Sequence, residues 1–135
     1  MSDTEDIEDI REQKLEELQR DAGGGPGGET HDEPVHLGET GDFQAFVRDH
    51  DLVLVDFHAE WCGPCQMLEP IVEDVAADTP ATVLKVDIDD HQQLAGEMGI
   101  RGVPTLVLYE SGEVAERLVG MQDEETLTGL IDRFA

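Results

Sequence analysis

The sequence predicts an α/β domain: a mixed central β-sheet flanked by helices on both faces, in the order β-α-β-α-β-α-β-β-α. Three observations carry this. Leu52-Val53-Leu54-Val55-Asp56-Phe57-His58 and Thr82-Val83-Leu84-Lys85-Val86-Asp87-Ile88 are nearly continuous apolar, β-rich runs, the pattern of strands covered on both faces. The segments between such runs place apolar residues at helical spacing. Near the C-terminus two further strand-like runs meet at Ser111-Gly112, a hairpin signature. Strands separated by helices argue for parallel pairs, and the hairpin adds an antiparallel edge.

The elements follow in order. Residues 4–20 read as a charged amphipathic helix, with Ile7, Ile10, Leu15 and Leu18 on one arc and Ser2 or Asp3 as cap. Residues 21–34 contain Gly23-Gly24-Gly25-Pro26-Gly27-Gly28 and read as a flexible linker. Residues 1–34 are therefore an acidic extension, tethered to a domain spanning 35–135. Two readings of the extension stand, a solubilising tail and a docking or dimerisation helix. Val35-His36-Leu37 forms a short strand, and Phe43, Phe46 and Val47 mark a helix over 41–49. The run at 52–58 is the central strand. A helix follows Cys62, with Met67, Leu68, Ile71, Val72 and Val75 as its core face and Pro70 as a kink. After the strand at 82–88, a short helix through Leu94, Ala95 and Met98 ends at Gly99. Pro104 opens a strand from Thr105 to Tyr109, which turns into Val114–Val119. A last helix spans about Asp123 to Phe134, with Leu127, Leu130 and Ile131 inward.

The chain carries 33 acidic against 8 basic residues, a formal net charge of −25. Such a surface repels nucleic acid and anionic membranes, because it has no basic footprint with which to displace counterions. Disorder is excluded for the C-terminal part by its long apolar runs. Two readings of the acidity stand, adaptation to a high-salt cytoplasm such as that of a halophilic archaeon, where concentrated salt screens self-repulsion, and a merely acidic mesophile protein; the near absence of lysine, only Lys14 and Lys85, goes with the first. No apolar run reaches membrane-spanning length. The acidic N-terminus has no signal-peptide core, which points to the cytoplasm.

The only two cysteines, Cys62 and Cys65, lie three residues apart. In a reducing compartment such a pair suggests chemistry or metal rather than a staple. Cys62 falls at or just before a helix start, where free backbone N–H groups and the helix dipole stabilise a thiolate. Cys65, one turn on, is placed to close a disulfide ring. Pro64 fits the first turn, and Gly63 leaves room for a partner backbone. Zinc would need four ligands; His58 is a third candidate and no fourth stands out.

Val55-Asp56-Phe57-His58-Ala59-Glu60-Trp61-Cys62-Gly63-Pro64-Cys65, Lys85-Val86-Asp87-Ile88-Asp89 and Gly99-Ile100-Arg101-Gly102-Val103-Pro104-Thr105 together resemble the thioredoxin family, in order and at family spacing. The resemblance covers about residues 35–135. It implies the thioredoxin fold and a protein-disulfide reductase working by dithiol–disulfide exchange, with no bound cofactor. Cys62 and Cys65 match the redox pair, Asp56 the buried acid beneath it and Lys85 that acid's partner. Pro104 matches the cis-proline facing the pair. Trp61, Gly63, Pro64, Gly102, Val103, Gly120 and Met121 would line the apolar docking surface, with the Val103 backbone pairing to an extended substrate segment. The implied partners are disulfide-containing target proteins and a thioredoxin reductase as electron donor, with the protein itself a monomer.

Alternatives stay open at several positions. Asp56 is either the proton-transfer acid or a strand-end residue satisfied by backbone. Lys85 either pairs with it or snorkels. Gly102 and Gly120 either serve docking or only backbone turns. His58 stands where the family commonly has tryptophan, and either packs beside the pair or acts as a cation favouring the thiolate. Gln66 stands where lysine is frequent. At the level of function, the alternatives are an oxidase or isomerase of the same fold and a non-catalytic interaction module; intact cysteines with Gly-Pro between them argue against both.

Overall fold

A computed structural model describes residues 32–39 and 42–135. The helix expected at 4–20, and the linker up to residue 31, lie outside these residues. The elements are β1 (Val35–His36), α1 (Phe43–Asp49), β2 (Leu52–His58), α2 (Gly63–Asp78), β3 (Thr82–Asp87), α3 (Gln92–Glu97), β4 (Thr105–Glu110), β5 (Glu113–Val119) and α4 (Glu124–Phe134). The expected β-α-β-α-β-α-β-β-α order is the order found.

The strands form one mixed sheet in the order β1-β3-β2-β4-β5. β2 lies at its centre, parallel to β3 and antiparallel to β4. The antiparallel part is thus larger than the hairpin edge. A helix between strands was expected to make the following strand parallel, but after α3 the chain reaches the far side of β2 and enters β4 in the opposite direction. β1 extends the parallel half by two residues, and Leu37, expected in that strand, opens a 3-10 turn instead.

Alternation along the strands divides the core in two. Leu54, Val83, Leu106 and Leu108 face one side, where Leu68, Val72 and Val75 of α2 and Leu127 and Ile131 of α4 cover them. Val53, Val55, Phe57, Leu84, Val86 and Val107 face the other, against Phe43, Phe46 and Val47 of α1, with Leu94 and Met98 at the margin. β2 is buried on both faces for this reason. Met67, expected in the core face of α2, is 67% exposed, and Ile71 is only partly buried. Taking about 100° per residue, Met67 projects roughly 90° from the centre of the Leu68/Ile71/Val72/Val75 arc and so misses the sheet.

Helix starts follow local chemistry. Asp42 and Asp123 cap α1 and α4 by accepting from the N–H groups of Ala45 and Thr126. The β4–β5 hairpin turns on Ser111 (φ 51°) and Gly112 (φ 87°), both left-handed, as a two-residue type I′ turn requires. A Cβ on Gly112 would come within 2.7 Å of Arg48 Cγ on α1. Gly112→Ala is therefore expected to cost about 1–2 kcal/mol, read as a lowered urea midpoint at unchanged slope.

Candidate active site

The site sits where β2 gives way to α2. Cys62 is the N-cap of α2 in extended conformation, and its Sγ accepts from the Cys65 backbone N–H at 3.2 Å. Pro64 lies in the first turn, where its missing N–H leaves no bond unmade. Cys62 and Cys65 are joined in a disulfide, with Cα atoms 5.2 Å apart. The pair is buried with Ala59, and Val103 and Ile88 pack against it. Cys62 Sγ lies 3.6 Å from the Val103 carbonyl oxygen. The Val103–Pro104 peptide is cis, as expected for Pro104.

The remaining positions gather around this centre. Pro104 O accepts from Gly120 N–H at 2.8 Å, which brings Gly120 and Met121 beside the cis-proline loop. Trp61 is 69% exposed and Met121 42%, large apolar side chains left open beside a buried disulfide. The Trp61 indole N–H donates to Asp89 Oδ2 at 2.9 Å, which fixes the ring. Gly63 and Gly102 face open space without a left-handed backbone, so no local contact demands glycine there. Gly120 differs: its φ of +96° gives glycine a backbone reason at that position.

A buried charge cluster spans β2 and β3, and its Lys85 lines a cleft that Cys65 also lines. Asp56 and Lys85 are register partners across β2 and β3, so their side chains leave the sheet on the same face. Lys85 Nζ is 3.4 Å from Asp56 Oδ2, and both side chains are almost wholly buried. The Lys85 ammonium is also 3.5 Å from Glu69 Oε2 of α2, whose side chain is about half exposed. Asp56 Oδ1 is buried without a hydrogen-bond partner among the described residues. Burial raises the Asp56 pKa above the ordinary carboxylate range, opposed chiefly by Lys85. This environment disfavours both milder readings: Asp56 is not a backbone-satisfied strand end, and the Lys85 ammonium does not snorkel to solvent.

His58 is half-buried on the same face. Burial first, and the Lys85 charge second, lower its pKa, which disfavours the protonated ring. That favours the packed ring over the cation. Gln66 donates to Glu60 O at 3.0 Å. A polar cleft of about 880 Å³ beside Cys65 is lined by His36, His58, Glu69 and Lys85, among others. Among the described residues no group of His, Cys, Asp and Glu could hold a metal ion. Sequence reasoning missed Glu69 and Asp89. Glu69 follows Cys65 by four residues on one helix, and that spacing was its available signal.

A disulfide opening a helix beneath an exposed apolar rim defines a protein that exchanges thiols and disulfides. Residues 34–133 match the thioredoxin family model. The chain is similar to thioredoxin of Chlamydia muridarum, 49% identical over 83 residues, covering 61% of this chain and 81% of that one. It is similar to thioredoxin of Chlamydia pneumoniae, 46% identical over 94 residues, with coverage of 69% and 91%. Among solved structures, a mutant thioredoxin from Halobacterium salinarum superimposes with a TM-score of 0.74 at 50% identity, covering 78% of this chain and 93% of that one. The chain belongs to the thioredoxin family. It is a thiol–disulfide oxidoreductase that reduces protein disulfides, and as such it works with disulfide-bearing proteins and a reductase.

Proposed function

We propose that Cys62 is the attacking thiolate, Cys65 the resolving thiol and Asp56 the base that receives the Cys65 proton. The observation that carries this is the Cys65 N–H aimed at Cys62 Sγ at the α2 N-terminus. The same donor and helix end stabilise negative charge on that sulfur once the pair is reduced. Cys62 thiolate attacks one sulfur of a target disulfide. The target S–S bond breaks, a Cys62–target bond forms and one target thiolate leaves. Cys65 then gives its proton to Asp56 and attacks Cys62 Sγ. The Cys62–target bond breaks and the second target thiolate leaves. The target gains two electrons, and the protein ends as its Cys62–Cys65 disulfide, to be reset by a reductase.

In this reading Lys85 holds Asp56 in place. Trp61, Gly63, Pro64, Gly102, Val103, Gly120 and Met121 form the docking face, with Pro104 shaping the loop beside the pair. An extended target segment pairs with the Val103 backbone. Residues 35–135 act as the redox domain of a monomeric electron carrier, and residues 1–34 as an acidic extension; the start of the family match at residue 34 supports this division. The test is catalysed reduction of insulin disulfides by dithiothreitol. Rapid turnover is expected, and a folded protein without turnover would overturn the reading.

We infer further that the protein works in a high-salt cytoplasm. The net charge of −25 supports this, as does the 50% identity to the Halobacterium salinarum protein. No helix among the described residues is long and apolar enough to cross a membrane. Salt that screens self-repulsion should stabilise the fold. The thermal midpoint is expected to rise by several degrees between dilute buffer and about 3 M KCl. A midpoint that stays level or falls would remove the inference.

A further inference from the structure

Lys85 faces two acids, and the second has no part in the exchange described above. We propose that Glu69 is a positioning residue for the resolving step: its carboxylate shares the Lys85 ammonium with Asp56, so that Asp56 remains a strong enough base to accept the Cys65 proton. The proposal rests on the reading of Asp56 as that base.

The geometry is specific. Lys85 Nζ is nearly equidistant from the two carboxylates, at 3.4 Å from Asp56 Oδ2 and 3.5 Å from Glu69 Oε2. Both distances are long for charge-assisted hydrogen bonds, which favour about 2.7–2.9 Å, as befits a cation divided between two anions. Glu69 stands one helical turn after Cys65 on α2, on the side of the polar cleft that Cys65, His58 and Lys85 also line. Its half-exposed side chain retains contact with water, while Asp56 is cut off from it.

The groups acting on Asp56 come from three elements, Lys85 from β3, His58 from β2 and Glu69 from α2, and Lys85, His58 and Glu69 line one cleft with Cys65. His36 of β1 and Glu73 of α2 line the groove outside Lys85. Lys85 is the leading positive charge acting on Asp56, with His58 second. Were that ammonium committed to Asp56 alone, the carboxylate would be stabilised and would hold a proton less firmly. The negative charge of Glu69 acts in the opposite direction on Asp56, directly and by engaging Lys85.

The resolving step can be observed by itself. Reduced protein mixed with excess of an aromatic nitrobenzoate disulfide releases one coloured thiolate when Cys62 attacks. It releases a second when Cys65 resolves the mixed disulfide, in a phase independent of reagent concentration. The pH profile of the second phase carries an acid limb from the base. Glu69→Gln is expected to lower that limb's midpoint by about half a pH unit, a value discounted for the exposure of Glu69. Glu69→Lys should move it further in the same direction. Glu69 is half exposed, so both variants should fold, which a cooperative thermal unfolding transition for each verifies. Asp56→Asn separates the two ideas. If it abolishes the limb while Glu69→Gln leaves the midpoint in place or raises it, the Glu69 role is overturned and the Asp56 role stands. If the limb persists in Asp56→Asn, both fall.

Discussion

Cys65→Ser is expected to stop the reaction halfway, leaving the protein covalently joined to its target through Cys62. The first exchange needs only the thiolate at the α2 N-cap. Serine at 65 keeps the backbone N–H that Cys62 Sγ accepts. A serine hydroxyl cannot displace the target thiolate, so the mixed disulfide has no internal exit. Cys62→Ser should instead remove the first step and yield no adduct. Both substitutions are expected to reduce insulin turnover by about 10³-fold or more, since the two sulfurs act as a unit. Mass spectrometry under non-reducing conditions tells them apart: one protein-plus-target species for Cys65→Ser, none for Cys62→Ser. An adduct on Cys65 in the Cys62→Ser protein would exchange the two roles.

Asp56→Asn is expected to stabilise the fold at neutral pH while slowing the enzyme. The carboxylate is fully buried and one of its oxygens lacks a hydrogen-bond partner among the described residues. Burial raises its folded pKa above the unfolded 3.8, with Lys85 only partly opposing. The folded state therefore holds more protons than the unfolded state between those two values. Stability falls as pH rises through that window. Burial of this acid is therefore a net cost to the fold at neutral pH, whether it is met by ionising the carboxylate or by holding its proton. Asparagine removes the titration, and Lys85 keeps Glu69 as a partner. The expected result is a higher Tm at neutral pH, the gain fading in acid below the ordinary carboxylate range. The resolving step should slow by about 10²-fold at neutral pH through loss of the base. Thermal unfolding across pH, with the same protein's turnover, checks both signs. Destabilisation at neutral pH would mean that the Lys85 pairing outweighs the burial.

These outcomes depend on features that were unequally legible in the sequence. β2 and β3 were plain because burial on both faces leaves an unbroken apolar run, which makes the exceptions Asp56 and Lys85 conspicuous. Their register across β2 and β3 then follows from the sheet. The cysteine pair was plain because the start of a helix after a strand is a local feature. The direction of β4 was not, since a helical connection fixes neither which side of β2 the chain reaches nor which way it enters. Met67 was misplaced because hydrophobicity does not tell the edge of a helical arc from its centre. Glu69 and Asp89 were missed because a carboxylate in a chain this acidic carries little information. The four-residue spacing from Cys65 pointed weakly to Glu69, and the positions of Lys85 Nζ and the Trp61 indole N–H single the two out.

The proposed docking face has a further consequence when set against the charge of the whole chain. Trp61, Gly63, Pro64, Gly102, Val103, Gly120 and Met121 carry no ionised side chain, in a protein with 33 acidic residues. Carboxylates bind water firmly, and stripping that water is costly wherever two acidic surfaces are pressed together. The neutral rim around the disulfide can be dehydrated cheaply, and its apolar side chains gain by it. Contact with an equally acidic target is thus favoured at this face: the hydrated anionic shell makes other approaches costly, and the uncharged side chains near Cys62 are the ones most cheaply dehydrated.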